Sequence, residues 1–523
     1  MKRMVFLGLA AVTVLLLSVA MPAFCKGSGE SGAKAGPVTF TYWAPMNANV
    51  IAAIKDLNQN LVFQEMERRT GIKMQFRHPP VGQETEQFNL IIASRDLPDL
   101  MEYDWTKYPG GPEKAISDGI IVKLNDLVDK NAPNYKRYMD ATPLAAKQLK
   151  SDAGTLYVFA ALSRSKYNCQ SGLMLRKDWM AEAGLKLPET ASEWTDVLSI
   201  LKKEKKLTAP FTAEKNQVIN GNLFSGAWMV ADGFYMEHGK VRYGPAMDAY
   251  REYLEFMAGW YKAGLLDPDF VGNNTRSVDG NVTGGKSAAL FGFAGGGMGK
   301  YLTAMKDKDP KFDLVAVQYP VLKKGTEPMF VNRSWEYRGT GSLAITTADK
   351  HPAEAARWAD FFFSEEGNLL KNFGVEGVTY RMDNGYPRYT DLIMKNPDGL
   401  SMAVAMGKYL RASYPTPGFI DERYHEQYTS LPQQKEAMTL WSLYDRNATE
   451  VLLPLFSPTA KESEELSTIV PALSSYKDEM FVKFVMGQEP TANFARFVAQ
   501  ARSMRLDRAL ELYQAAYDRY AKR

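Results

Sequence analysis

The chain has 523 residues, 45% of them hydrophobic, with 26 Phe, 27 Tyr and 9 Trp; that is too much for a single core, so two or more lobes are expected. Lys and Arg number 63 against 60 Asp and Glu, a formal net charge of +3, which leaves no electrostatic footprint for nucleic acid or for an acidic membrane surface. The two cysteines, Cys25 and Cys169, exclude an internal disulfide framework once Cys25 is acylated or removed.

The amino terminus has the layout of a secretory signal. Lys2 and Arg3 precede an apolar run from Met4 to Met21 that carries no charge, and the chain turns polar at Cys25-Lys26-Gly27-Ser28-Gly29-Glu30. The run is long for a cleaved leader, and an uncleaved membrane anchor is the alternative. Cys25 followed by a Gly/Ser-rich tether resembles the lipobox of bacterial lipoproteins, in which the thiol is acylated. Phe24 departs from the small residue that pattern prefers, so ordinary signal-peptidase cleavage near Ala23 to Cys25 stays open. The expectation is a signal peptide over residues 1–24 and a flexible tether over 25–36. The protein is then exported to the periplasm or the outer face of the cytoplasmic membrane, with lipid anchoring through Cys25 where acylation rather than ordinary cleavage is the route. No second apolar run approaches membrane-spanning length.

The mature chain opens on Val38-Thr39-Phe40-Thr41-Tyr42-Trp43, which alternates as a half-buried strand does. From Val50 to Thr70 apolar residues recur at helical spacing (Ile51, Ile54, Leu57, Leu61), with Gly71 at the C-cap position. Residues 72–76 read as a second strand, 85–94 as a helix and 99–103 as a third strand. This order implies parallel pairing with right-handed crossovers, and loops at the carboxyl ends of the strands free to meet a ligand. A second unit begins at Leu173-Met174-Leu175-Arg176-Lys177-Asp178-Trp179. Thr190 and Glu193 then fit a capping box before the apolar stripe Val197, Leu198, Leu201. Residues 288–293, 316–320 and 342–346 read as further strands. From Met402 the chain is mainly helical and ends on an amphipathic stretch from Leu506 to Tyr520.

Several stretches look like decoys. Residues 280–287, Gly-Asn-Val-Thr-Gly-Gly-Lys-Ser, match the spacing of a nucleotide-binding P-loop. They follow a polar segment and precede a strand, the reverse of what phosphate binding needs. Gly295-Gly296-Gly297 allows either a close backbone approach to a ligand or a tight turn. His425-Glu426 lacks the second histidine of a zinc-protease motif, and no calcium loop or nucleophile elbow is present. Cys169 reads as a small buried apolar residue.

The motifs that remain resemble the extracellular solute-binding proteins of ABC sugar importers, in their long lipoprotein-type subgroup. The residues that carry this are Ala93-Ser94-Arg95-Asp96-Leu97-Pro98-Asp99-Leu100, the turn Gly119 to Leu127, Leu175-Arg176-Lys177-Asp178-Trp179 with Pro188-Glu189-Thr190 and Glu193-Trp194, Gly285-Lys286-Ser287-Ala288-Ala289-Leu290, and the closing Tyr513 to Tyr520. Each is weak alone; their order and spacing are more specific. The resemblance implies two α/β lobes joined by a hinge that the chain crosses more than once, the type II periplasmic-binding-protein fold, with a helical C-terminal part. Residues 37–166 and 339–380 would form lobe 1, and 167–338 and 381–523 lobe 2. It also implies a monomeric binding protein, not an enzyme, without cofactor or metal, whose partners are a sugar and the permease subunits of an ABC transporter. An exported glycan-degrading enzyme and a sensor subunit for a membrane kinase are the alternatives. A sugar has apolar ring faces and a hydroxyl rim, so its site wants flat aromatics and polar side chains. The candidates, at strand ends and motif loops, are Trp43, Asn47, Asp104, Trp105, Trp228, Phe293, Trp335 and Arg338.

Overall fold

The computed structural model describes residues 38–334, 336–337, 339–412 and 416–523. The signal peptide, the tether with Cys25, and the candidates Trp335 and Arg338 lie outside the described residues. Strands are numbered in chain order: β1 (Thr39–Trp43), β2 (Lys73–Arg77), β3 (Leu100–Tyr103), β4 (Ala161–Ser163), β5 (Ser171–Arg176), β6 (Phe211–Thr212), β7 (Phe234–Glu237), β8 (Lys240–Tyr243), β9 (Ala289–Phe293), β10 (Leu314–Val317), β11 (Ser342–Ile345), β12 (Tyr380–Asp383), β13 (Tyr386–Tyr389) and β14 (Gly418–Ile420).

The first sheet has the order β11-β3-β1-β2. β1 runs parallel to β2, with Thr39 opposite Lys73, and to β3, with Tyr42 opposite Leu100. β11 closes the other edge antiparallel to β3. The connections are the helices Leu61–Thr70, which ends on Gly71 in the left-handed region, and Glu84–Ser94. The single helix expected from Val50 to Thr70 is instead three pieces: Ala48–Ile51, a 3-10 turn Leu57–Gln59, and Leu61–Thr70. Local capping breaks it. Asp56 Oδ1 accepts from Asn58 N at 2.6 Å and Asn60 Oδ1 from Val62 N at 3.1 Å, so each side chain restarts the backbone.

The second sheet has the order β10-β5-β9-β6. β5 is antiparallel to both neighbours, and β6 is parallel to β9. The capping box at its flanking helix Ala191–Lys205 is present, with Glu193 N donating to Thr190 Oγ1 at 3.2 Å and Thr190 N to Glu193 Oε2 at 3.1 Å. Each sheet has its own core. Tyr42, Leu100, Leu343 and Trp358 pack in the first, and Leu173, Trp194, Phe211 and Trp260 in the second.

Connecting stretches pass between the two halves side by side. Residues 163–171 lead from β4 to β5, 331–342 return from β10 toward β11, and 420–432 leave β14 for the helix Pro432–Ser442, which packs on β10. β14 pairs in parallel with β4, and Leu162 bridges Tyr337. Residues 381–412 and 416–420, in the stretch expected in the second lobe, pack on the first half. Tyr389, Met406 and Leu410 form a satellite cluster with Phe373, and Phe419 joins the first core. Asn60 Nδ2 donates to the carbonyls of Gly407, Lys408 and Leu410 at 3.2, 3.1 and 3.1 Å. The C-terminal helices touch both halves. In Ala460–Val485, Ser463 lies against Gly111 and Phe481 enters the second core. In Leu506–Lys522, Arg519 pairs with Asp152 at 2.8 Å.

A buried ion pair fastens this later segment down. Glu102 and Arg411 are 2% and 1% exposed, 3.6 Å apart, and Glu102 also accepts from the hydroxyls of Tyr42 and Thr416. Burial pushes the Glu102 carboxyl up, and Arg411 opposes that. Removing one partner strands a buried charge, so Arg411→Ala should cost about 3–5 kcal/mol in chemical denaturation, whereas replacing Glu102 and Arg411 together by apolar residues should cost much less.

Candidate functional site

The pairing registers fix where a ligand can meet the fold. Ser342, the first residue of β11, is opposite Tyr103, the last residue of β3. Ser171, the first residue of β5, is opposite Phe293, the last residue of β9. The connecting stretches 331–342 and 163–171 therefore arrive at the carboxyl ends of β3 and β9, and these ends of the two sheets are turned toward the same junction. That is where open α/β sheets offer loops to ligands.

On the first half this end is mostly closed by packing. Trp43, 2% exposed, lies against Phe88 and Tyr103 at ring distances of 6.5 and 6.2 Å. Trp105, 0% exposed, meets Phe88 at 5.4 Å and Tyr108 at 6.4 Å. Phe88 and Tyr103 stack at 3.7 Å between them. Both indoles thus belong to an aromatic core in this structure. The polar candidates serve the local backbone: Asn47 Oδ1 accepts from the amides of Asn49 and Val50 at 3.0 and 3.2 Å. Asp104 Oδ1 accepts from Thr106 Oγ1 at 2.6 Å, and its Oδ2 lies 3.6 Å from Lys107 Nζ. Asn47 is exposed, and Asp104 is partly so.

The second half presents more surface. Phe293 is 54% exposed at the end of β9. Trp228 is half-buried against Tyr253 and Phe256, at 5.7 and 5.0 Å. Met229 beside it is 52% exposed and holds φ 59, the left-handed region that a side chain of its kind rarely adopts. Met229 escaped sequence reasoning; the Gly/Asn/Ser-rich turn before it signalled the loop but not the residue at its tip. Gly226 in this loop is required by packing, since a Cβ there would lie 2.6 Å from Cβ of Phe330, just before the connecting stretch 331–342.

The decoys resolve in physical terms. Residues 280–287 run from the end of a helix, Thr275–Thr283, through a turn toward β9, the opposite order to a phosphate-binding loop. The glycines after Phe293 form a π-helical turn, Ala294–Gly299, and a Cβ on Gly295 would lie 2.2 Å from the Tyr428 ring. Close side-chain packing explains that glycine. His425 is buried, and among the described residues no group of three or more His, Cys, Asp or Glu is placed to hold a metal ion. Cys169 is fully buried, and burial pushes its thiol up to about 12.

Two α/β halves joined by several side-by-side crossings, with a helical C-terminal part, define the type II periplasmic-binding-protein fold. The profile of the bacterial extracellular solute-binding proteins matches residues 48–369, and the chain belongs to that family. Its fold is similar to that of the alginate-binding protein AlgQ2, with a TM-score of 0.78 and 25% identity over 92% of this chain and 98% of that one. It is also similar to that of an EF-hand mutant of FusA of Streptococcus pneumoniae in complex with fructo-nystose, with a TM-score of 0.73 and 18% identity over 92% and 99%. In sequence, it is 23% identical to the fructooligosaccharide ABC transporter substrate-binding protein FusA over 364 residues. That alignment spans 64% of this chain and 63% of FusA. It is 25% identical to the polygalacturonan/rhamnogalacturonan-binding protein YtcQ of Bacillus subtilis over 390 residues, 71% of this chain and 73% of that protein. No helix among the described residues is long and apolar enough to cross a membrane.

The difference in burial gives a direct test. Phe293→Ser should change unfolding free energy by no more than about 0.5 kcal/mol, whereas Trp105→Ala should cost about 3–5 kcal/mol. Urea denaturation of the two variants reads the difference.

Proposed function

We propose that this protein is an exported receptor that captures an oligosaccharide between its two halves and delivers it to the permease of an ABC importer. The observation that carries this reading is exposed apolar surface on the second half. Phe293 stands 54% exposed at the carboxyl end of β9, and Trp228 and Met229 sit on a loop whose Gly226 packs against Phe330, just ahead of a stretch that joins the halves; these side chains offer flat or soft apolar faces. Such faces suit the apolar sides of sugar rings, and Asn47 and Asp104 at the opposing strand ends supply polar groups for the hydroxyl rim. Trp335 and Arg338, on the connecting stretch between them, complete the proposed set. The printed names of relatives support the ligand class: fructooligosaccharide for one, polygalacturonan and rhamnogalacturonan for another, alginate for a solved neighbour.

The protein then works as a monomer and performs no bond-making or bond-breaking step. Sugar favours the closed arrangement only to the extent that it binds that arrangement better than the open one. The stretches 163–171, 331–342 and 420–432 are where the halves would bend. A leader over residues 1–24 and acylation of Cys25 would keep the receptor beside its permease.

A thermal-shift screen with kestose, a galacturonic acid trisaccharide and an alginate trisaccharide, followed by calorimetry, tests the reading. At least one should raise the melting temperature and bind near micromolar, about −8 kcal/mol. Phe293→Ala and Trp228→Ala should each weaken that binding by about tenfold, or about 1.4 kcal/mol. No shift with any member of a broader glycan set, or release of cleaved sugar on incubation, would overturn it.

A further inference from the structure

The loop that carries Trp228 and Met229 is tied off at its root by one carboxyl group. Asn222 and Asp232, ten positions apart, exchange reciprocal bonds: Asn222 N donates to Asp232 Oδ2 at 2.7 Å, and Asp232 N donates to Asn222 Oδ1 at 2.6 Å. Asp232 is 5% exposed. Its Oδ1 and the hydroxyls of Ser225 and Tyr250 are all buried without a hydrogen-bond partner within ordinary geometry, although both hydroxyls are close enough to favour its ionised form. The groups facing it come from two helices. Lys477, itself paired with Asp478 at 2.7 Å, belongs to Ala460–Val485, and Tyr250 and Tyr253 to Asp248–Ala263. Lys477 is 3% exposed and donates to Ile219 O at 3.2 Å and to Asn220 Oδ1, just before the loop.

We propose that Asp232 is a positioning residue for the candidate sugar site: its ionised, buried carboxylate clamps the loop 222–232 and so sets the Trp228–Met229 tip, and protonation releases that tip. The geometry supports this because the two reciprocal bonds join the ends of the loop, and at its tip Met229 caps the turn Ser225–Trp228 in the left-handed region, φ 59, with its amide on Gly226 O at 3.0 Å. The ionisation lies in reach of ordinary conditions. Burial raises the carboxyl from 3.8 to about 6, and Lys477 and the Asn222 amide hold it from rising further.

The sign of the linkage separates local release from unfolding. The folded value exceeds the ordinary one, so the folded chain binds a proton between the two. The contribution of Asp232 to global stability therefore grows as pH falls through 6 toward 3.8. Over the same interval the loop loses its charged acceptor. The tip should loosen while the melting temperature does not fall on account of this group.

The test reads Trp228 emission, taken as the difference between the wild-type chain and Trp228→Phe, from about pH 7.5 to about pH 5. A step with a midpoint near 6 is expected. It should vanish in Asp232→Asn, which keeps an acceptor but cannot ionise, and its midpoint should rise in Lys477→Gln. A flat wild-type profile, or a step that persists in Asp232→Asn, overturns the proposal. Should Asp232→Asn fail to fold, an unmoved midpoint in Lys477→Gln overturns it instead. The inference rests on the receptor reading for its consequence only. Absence of sugar binding would sink that reading and leave the titration standing, whereas sugar binding with a flat titration would sink the clamp alone.

Discussion

The structure depends on a constraint of connectivity: the chain passes between its two sheets more than once, and the passages enter and leave at the carboxyl ends of the strands. Because Ser342 must pair with Tyr103 and Ser171 with Phe293, the ends of β3 and β9 cannot turn away from the junction. Whatever the loops at those ends carry is delivered to the space between the halves. The passages also pair with one another through β4, β14 and the Leu162–Tyr337 bridge, so the junction has backbone hydrogen bonds of its own and does not rely on side-chain packing alone.

Much of this was legible in the amino-acid order. The alternation from Thr39 to Trp43, the helical spacing before Gly71 and the strand at Leu100 gave a parallel β-α-β-α-β unit because periodicity and caps agree there. The capping box at Thr190 and Glu193 held for the same reason. The long helix expected from Val50 failed because Asp56 and Asn60 offer the backbone nearer partners than the helix does. The packing of residues 381–412 and 416–420 on the first half is not legible locally, because what holds them is a set of distant contacts: Asn60 to Gly407 and Glu102 to Arg411. No local pattern encodes a pairing across more than three hundred positions.

The candidate site was legible only in part, for a related reason. Strand ends can be read from periodicity, and both Trp43 and Phe293 do stand at strand ends. Whether an aromatic there faces inward depends on its neighbours. Phe88, from the following helix, and Tyr103 cover Trp43, while Phe293 stays 54% exposed among the described residues. Met229 is exposed through a left-handed backbone that its sequence does not announce.

The two halves hold their junction-facing loops by different means. The first uses aromatic packing: Trp43, Phe88, Tyr103 and Trp105 form one contiguous group whose rings lock each other. The second uses buried carboxylates. Asp267, 2% exposed, accepts at Oδ2 from Thr212, Asn273 and Asn281, each at 2.8 Å, and at Oδ1 from the Asp269 amide at 3.0 Å. It thereby ties the end of β6 to the segment before Thr275–Thr283, as Asp232 ties the neighbouring loop. Apolar packing is non-directional and tolerates small displacements, whereas a buried carboxylate demands fixed donors and is costly to leave unpaired. The second half therefore specifies the positions of its loops more tightly than burial alone would. That suits a surface where apolar side chains only partly covered by the core, such as Phe293 and Met229, must keep a defined orientation.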